Sequence, residues 1–531
     1  MNPSSIAFTL NGAAVTVEAD GCSLLEALRD RLGVRSPKDG CAPQGQCGCC
    51  TVWVDGQPRV ACVTPVARVA GRAVTTVEGL PDSDADDWSA RLCAAGGSQC
   101  GFCTPGIVMR LAAIAPPART DAAVRQSLLA HLCRCTGWNT VIEAAVGESA
   151  AAAGRDLDAA AARAALEGGS PQSVSPAVAL GRGGFAADTA PIDALIAMRR
   201  DDGEWVVAAT LSEARRLAGK VQGRRTTEPV TWPIDLPAGE WVRTLQTTWV
   251  EPGYLEPDAA WCLPGGVPVG PMTNGGAFGG KSAAPAEVAL AARRLADEHG
   301  RAVLATYSRE DVVRLGPKRP PIAAGVRADG TGVLRVARTP GIAAAVASVA
   351  PGLVVEEVDV VGPPTSALVR AAGWAEAAVL LAPDDGWVAA PNGARAHAVL
   401  SDDGSLRVTV SCGEVLDEVV LRSYCIGAAH MALGWVRSEA IVVAADGVPQ
   451  DLTIRSFGVL RAVDTPHIEV TILSPESPES SEPSASPETS ESPEPSGITP
   501  AINGSDAVFA AVAAAVWRAD GFPARWPTSR T

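Results

Sequence analysis

The chain has no stretch of about 20 uninterrupted apolar residues, the length a membrane-crossing helix needs, although 47% of its 531 residues are hydrophobic. Its first twenty residues, MNPSSIAFTLNGAAVTVEAD, lack the basic flank and apolar run of a secretory leader. There is no concentrated Lys/Arg patch either: 44 basic residues face 59 acidic ones, for a formal net charge of −15. Such a chain repels phosphate backbones and anionic lipid. No dinucleotide-binding fingerprint is evident. The expectation is a cytoplasmic protein with no nucleic acid and no membrane among its partners.

What is present is cysteine, 14 residues in all. Eight of them supply two tight groups within the first 135 residues. That clustering reads as metal ligation in a reducing compartment, not as a disulfide framework spread over the fold. The length suggests roughly three or four domains.

The N-terminal segment is built from local signals. Residues 5 to 19 alternate apolar and polar on either side of Asn11-Gly12, a pair suited to a two-residue hairpin turn. Ser23 and Glu26 match a capping box, Leu25, Leu28 and Leu32 follow at helical spacing, and Gly33 supplies a stop. TVWVDGQPRVACVTP reads as two strands around Asp55-Gly56, and Val74 to Val77 as another. Together these predict a β-grasp, ferredoxin-like domain over 1–82. Residues 83–153 turn helical, with IVMRLAAIA and AAVRQSLLAHL at three-to-four spacing, and predict a small four-helix domain.

Residues 154–178 read as a linker, and 179–473 as a large α/β region in which strands alternate with Ala-rich helices such as 284 to 298. Residues 474–496 contain only Ser, Pro, Glu, Ala and Thr, which cannot bury enough apolar surface to offset the entropy of ordering. After this disordered segment, 497–531 holds an apolar helix, SDAVFAAVAAAVWRA, with Ser505 as its expected N-cap. That helix should dock back on the large region.

The first cysteine group lies in GCAPQGQCGCCTVWVDGQPRVAC: Cys41, Cys47, Cys50 and Cys62, with Cys49 as an extra thiol. Three thiolates in one Gly-rich loop and a fourth on a nearby strand suit two ferric ions with bridging sulfides. The glycines let backbone N–H groups point at the sulfurs. The spacing differs by one residue from the plant-type CxxxxCxxC pattern, so spacing alone leaves Cys49 and Cys50 as alternatives. A zinc ribbon would prefer two separated CxxC knuckles. The second group is SQCGFCTPG, with Cys100 and Cys103, followed by Cys133-Arg134-Cys135-Thr136-Gly137. A CxxC at one helix start and a CxC at another can bring four thiolates to one cluster, with helix N-termini favouring its negative charge.

Over residues 1 to about 150 these motifs resemble the iron–sulfur part of the xanthine dehydrogenase family. CGCCTV is similar to the family's CGxCTV signature, and this favours Cys50 over Cys49. The second group nearly matches QCGFCTPG and LCRCTG. The resemblance implies two [2Fe-2S] clusters, one on each N-terminal domain, and places Gln99 against the pterin of a molybdenum cofactor.

Further on, EPGYLEPDAAW at 251–261, GGAFGGK at 275–281, YSRED at 307–311 and VRAAGWAE at 369–376 resemble landmarks of the family's molybdenum-binding domain, in the family's order. Gly275, Gly276, Phe278 and Gly279 are therefore candidate cofactor contacts, because a Gly-rich loop can lay backbone N–H groups against a pterin or phosphate. Three departures stand out. CLPGGVPVGPMTN replaces a longer family segment that carries a Gln near the metal. The whole region is much shorter than a complete molybdenum-binding domain. PAINGSDAVF has no glutamate where the family places its catalytic base. Asp506 reads as a helix-dipole partner and Glu414 as a turn or helix-start residue, with His430 and His467 structural, so no catalytic residue is nominated.

The expected fold class is α+β: a β-grasp domain, a four-helix [2Fe-2S] domain, and a partial molybdenum-binding-like α/β region. The expected function is electron transfer from a molybdopterin centre through two [2Fe-2S] clusters to a flavin. The implied partners are an FAD-binding subunit and a molybdopterin-binding subunit, with molybdopterin at an interface or in that partner. A self-contained molybdenum hydroxylase and a noncatalytic redox scaffold are the alternatives.

Overall fold

A computed structural model of the chain describes residues 5–41, 43–147, 155–281, 284–382, 386–473 and 499–530. The N-terminal sheet contains β1 (Ser5–Leu10), β2 (Ala13–Glu18), β3 (Thr51–Val54), β4 (Gln57–Val60) and β5 (Ala73–Thr75) in the order β2-β1-β5-β3-β4. The two hairpins turn at Asn11-Gly12, with φ of 49° and 84°, and at Asp55-Gly56, with φ of 50° and 72°. Two successive positive φ angles twist the backbone in the sense that antiparallel strands require. The middle strand β5 runs parallel to β1 and antiparallel to β3, which is the β-grasp arrangement. Ser23 accepts a hydrogen bond from the Glu26 N–H at 3.2 Å and starts α1 (Leu24–Glu26), which widens into a π-turn over Ala27–Arg31. Leu24 and Leu28 are completely buried beneath it.

Four α-helices follow: α2 (Asp82–Ala95), α3 (Thr104–Ala112), α4 (Asp121–Ser127) and α5 (Asn139–Val146). Cys103 immediately precedes α3, and Cys133 and Cys135 lie in the turn before α5, so the second cysteine group collects at helix starts.

The chain then forms α6 (Leu157–Gly168), within the stretch expected to be a linker, followed by α7 (Pro176–Ala179) and α8 (Ala186–Thr189). Asp156 caps α6 by accepting from the N–H groups of Asp158 and Ala159, and Gly169 ends it with φ of 67°. Arg163 and Glu167 on α6 form a fully buried ion pair at 2.7 Å, so this helix is part of the packed interior.

Next come β6 (Leu195–Arg199), β7 (Trp205–Ala208), α9 (Leu211–Leu217), β8 (Arg243–Gln246), β9 (Ala259–Cys262), α10 (Ala284–His299), β10 (Val303–Thr306) and α11 (Arg309–Leu315). They are followed by β11 (Ile322–Val326), β12 (Gly332–Ala337), α12 (Ile342–Ala347), β13 (Leu353–Val358) and α13 (Trp374–Leu381). The remaining elements are β14 (Trp387–Ala389), β15 (Arg395–Leu400), β16 (Leu406–Ser411), α14 (Glu418–Arg437), β17 (Ile468–Ile472) and α15 (Ser505–Ala519). The strands make three four-stranded sheets, β7-β6-β10-β9, β13-β12-β11-β8 and β14-β15-β16-β17. The molecule is thus a mixed α+β protein.

Helix α15 docks along α14, with Trp435 stacked on Phe509 at 5.1 Å between ring centres. Its cap is not Ser505. Gly504 is the N-cap residue, Asn503 accepts the Asp506 N–H at 3.0 Å, and the Glu167 carboxylate accepts from Gly504 at 3.0 Å and Ser505 at 2.9 Å. A buried carboxylate from α6 has taken over the capping that a local hydroxyl was expected to perform. Among the described residues one helix, Glu418–Arg437, is long and apolar enough to cross a membrane, and 89% of that apolar window is buried inside the protein. The acidic segment 474–496 lies outside the described residues.

Candidate metal centres

All 14 cysteines are buried free thiols. In the first group the Cys41 sulfur meets those of Cys47 and Cys62, and Cys62 meets Cys50. The N–H groups of Gln44 and Gln46 point at the Cys41 sulfur from 3.3 and 3.4 Å, and the Cys62 N–H points at the Cys50 sulfur from 3.4 Å. This is the inward-facing amide lining that a Gly-rich anion-binding loop provides. Cys49 is equally buried, but its thiol is turned towards Cys47, 3.7 Å from the Cys47 carbonyl oxygen.

In the second group the sulfurs of Cys100 and Cys135 stand 3.6 Å apart, and Cys133 meets both Cys103 and Cys135. Thr136 Oγ1 lies 3.2 Å from the Cys133 sulfur. Cys41 and Cys133 each accept from two neighbouring thiols, which holds both well below the ordinary thiol range. The same contacts, with burial, push Cys47, Cys62, Cys103 and Cys135 upwards. Among the described residues no three His, Cys, Asp or Glu side chains are placed around a single metal ion. The four thiols of each group lie in contact with one another, and an all-sulfur donor set with inward-pointing amide N–H groups fits a cluster of two irons and two sulfides.

The two groups are tightly joined. The Leu132 N–H donates to the Cys47 carbonyl at 3.0 Å. A Cβ on Gly106, in the first turn of α3, would lie 2.4 Å from the Gly48 carbonyl oxygen. A Cβ on Gly48, where φ is +71°, would meet the His131 ring at 2.5 Å. His131 is itself held 3.2 Å from Thr51 Oγ1, and burial pushes its pKa down to about 3.

The glycine loop lies on the other side of the second group. A Cβ on Gly276 would be 3.2 Å from the Cys135 sulfur, and one on Gly279 would be 1.7 Å from the Leu368 carbonyl oxygen, so the loop's close approach requires glycine at both positions. Phe278, with φ of 43°, and Gly279 face an open cleft of about 1380 Å³ that Lys281, Arg370, Asn503 and Asp506 also line. The N–H groups of Gly275 and Gly276 donate to Thr273 Oγ1 at 3.4 Å and Asn274 Oδ1 at 2.8 Å, so both are used within the loop.

Gln99 donates through Nε2 to the Cys135 carbonyl at 3.1 Å and to Ser423 Oγ at 2.9 Å. Its Oε1 is buried without a hydrogen-bond partner, as are the Tyr424 hydroxyl and Gln172 Nε2 beside it. Unmet polar atoms of this kind, behind a glycine cradle and next to Cys135, fit a polar heterocycle such as a pterin. Asp506, at the start of α15, is engaged by a guanidinium: Arg370 donates to it at 2.8 Å and to Ser505 Oγ at 2.6 Å. Arg370 also lies 4.1 Å above the Phe278 ring. The sequence marks VRAAGWAE as a landmark without singling out this arginine.

The other landmarks tie the cysteine-bearing part to the rest of the chain. Buried Arg309, in YSRED, donates to the Gly40 carbonyl at 2.6 Å and to the Leu255 carbonyl at 2.6 Å. Arg134, between Cys133 and Cys135, forms a two-pronged buried pair with Glu439 at 2.5 and 2.6 Å. Neither pairing has a local sequence signal.

A family described as the [2Fe-2S] binding domain matches residues 76–146. The chain is 42% identical over 158 residues to xanthine dehydrogenase of Drosophila pseudoobscura pseudoobscura, a match spanning 26% of this chain and 12% of that protein. It is 34% identical over 151 residues to the gamma subunit of caffeine dehydrogenase from Pseudomonas sp. (strain CBB1), covering 27% of this chain and 90% of that one. Its fold is similar to that of the aldehyde oxidoreductase from Desulfovibrio gigas, with a TM-score of 0.68 and 15% identity over 99% of both chains.

Proposed function

Since the chain belongs to the xanthine dehydrogenase family of molybdenum hydroxylases, we propose that it is the iron–sulfur electron-transfer component of a multisubunit oxidoreductase. The observation that carries this reading is the pair of four-thiol frames held together through Gly48 and Gly106. Cys41, Cys47, Cys50 and Cys62 would hold one [2Fe-2S] cluster, and Cys100, Cys103, Cys133 and Cys135 a second. When bound, the clusters supply one-electron carriers between a molybdopterin centre and a flavin on partner subunits. The residues fix the distance between the two frames, exclude water from them, and offer amide N–H groups that favour added negative charge. The relative named as a gamma subunit supports an assembly of separate chains. Gln99, Gly275, Gly276, Phe278 and Gly279 are the residues proposed to contact a pterin, and the substrates in this reading are aldehydes or N-heterocycles.

A second reading, a self-contained hydroxylase, is favoured by the cleft beside the glycine loop. Against it, Asp506 is committed to Arg370. Elemental analysis of the isolated chain and of the chain co-purified with flavin and molybdenum subunits separates the two readings. About four irons per chain, with molybdenum only in the assembly, is the expected result. Stoichiometric molybdenum in the isolated chain would overturn the electron-transfer reading in favour of the second.

A further inference from the structure

A second cleft of about 960 Å³, mouth included, lies between the β-grasp part and the sheet containing β6, β10 and β9. Its floor is apolar, with Ala190 and Ala194 beside Ile196, Met198 and Leu304. The two alanines there leave space that larger side chains would have filled. Phe102 and Phe185, packed edge-to-face with ring centres 5.0 Å apart, also line the cleft. Such an arrangement offers a ring face and a ring edge to an aromatic guest.

The charged groups around the cleft are not all engaged. Asp188 is shared by Arg29 and Lys38, and Glu256 is held by Lys281. Arg35 is different. It donates to the Ala187 carbonyl, and among the described residues no carboxylate stands at ion-pair distance from it. Arg215 approaches Glu310 only at 3.6 Å, and its Nη1 is buried without a hydrogen-bond partner. Asp30, another lining carboxylate, has no ion-pair partner among the described residues, and burial raises its pKa to about 6. Two guanidinium groups with unused N–H donors therefore sit on an apolar, aromatic-lined pocket.

We propose that this cleft binds a small aromatic carboxylate, its ring on the alanine floor against Phe102 and Phe185 and its carboxylate on Arg35 and Arg215. Guanidinium is suited to this role because its planar N–H fork matches a carboxylate and its hydration is weak. A bound ligand would touch the β-grasp part through Arg35, the helical part through Phe102 and the following sheet through Ile196, and so brace the seam among them.

Titration calorimetry of the intact, iron-loaded chain with benzoate tests the proposal, with benzamide as the neutral isostere and inorganic phosphate as the ring-less anion. Saturable benzoate binding is expected, with benzamide and phosphate each about tenfold weaker or more. Arg35→Gln should weaken benzoate by about tenfold, and Ala194→Leu should abolish binding by filling the floor. Benzoate should also raise the melting temperature of the parent chain and not of Ala194→Leu, a readout independent of the iron centres. The proposal is overturned by absence of benzoate binding, by equal binding of benzamide or phosphate, or by benzoate affinity that survives both substitutions.

Discussion

The two parts of the molecule bury their polar residues in different ways. Up to Val146 eight buried thiols gather in two groups, and buried charges such as Lys38 and Arg134 pair with carboxylates further along the chain. Beyond Leu157 buried charges pair with one another: Arg163 with Glu167, Lys318 with Glu251, and Arg319 with Glu376, all 4% exposed or less. The first part concentrates sulfur donors, and its residues 76–146 match a [2Fe-2S] binding domain. The second pairs buried charges with one another and frames the cleft beside the glycine loop.

The sharpest way to break this contrast is to remove a thiol. Cys100→Ser or Cys133→Ser should lower iron by about half and abolish one of two electron paramagnetic resonance signals. Cys49→Ala should leave both intact. Iron loss on replacing Cys49, with retention on replacing Cys50, would reverse the assignment of that loop.

Next in size is the loss of a completed pair. Glu439→Gln strands the buried Arg134 and should cost about 3–5 kcal/mol in urea unfolding. Because Arg134 lies between Cys133 and Cys135, the same variant should lose iron from the second group faster on dilution with chelator. An unchanged midpoint would mean that the pair is not a structural tie.

Gly106→Ala tests the joint between the thiol frames. Its new methyl group would sit 2.4 Å from the Gly48 carbonyl. The expected cost is about 1–3 kcal/mol, with weakened magnetic coupling between the two centres and iron content retained.

The smallest effect concerns His430, which burial pushes down to about 4 while its Nε2 sits 3.2 Å from the Leu460 carbonyl. A histidine depressed in the fold resists a proton that the unfolded chain accepts near pH 6.5. It therefore lowers stability as pH falls from 6.5 towards 4 and has no such effect above 6.5. Between pH 7 and 5 the loss is about 2 kcal/mol, and His430→Asn should remove that portion of the acid sensitivity.

How much of this is legible in the sequence follows from the range of each interaction. The β-grasp hairpins are readable because Asn11-Gly12 and Asp55-Gly56 carry their own turn geometry. The cysteine groups are readable because each depends on a short motif. The cap of α15 differs from the local expectation because Glu167, more than 330 positions away along the chain, occupies the N–H groups that a Ser505 hydroxyl would take. The 154–178 stretch resembles a connector because its alanines hide two residues, Arg163 and Glu167, that matter only once they pair in the interior. Arg309 reaching Gly40 and Arg134 reaching Glu439 are equally non-local, and no spacing rule finds them.

The most direct test of the central claim is spin quantitation by electron paramagnetic resonance on the anaerobically purified, dithionite-reduced chain. The account predicts two distinguishable rhombic signals that together integrate to about two spins per chain. A single species integrating to one spin, in protein carrying only two irons, would contradict it.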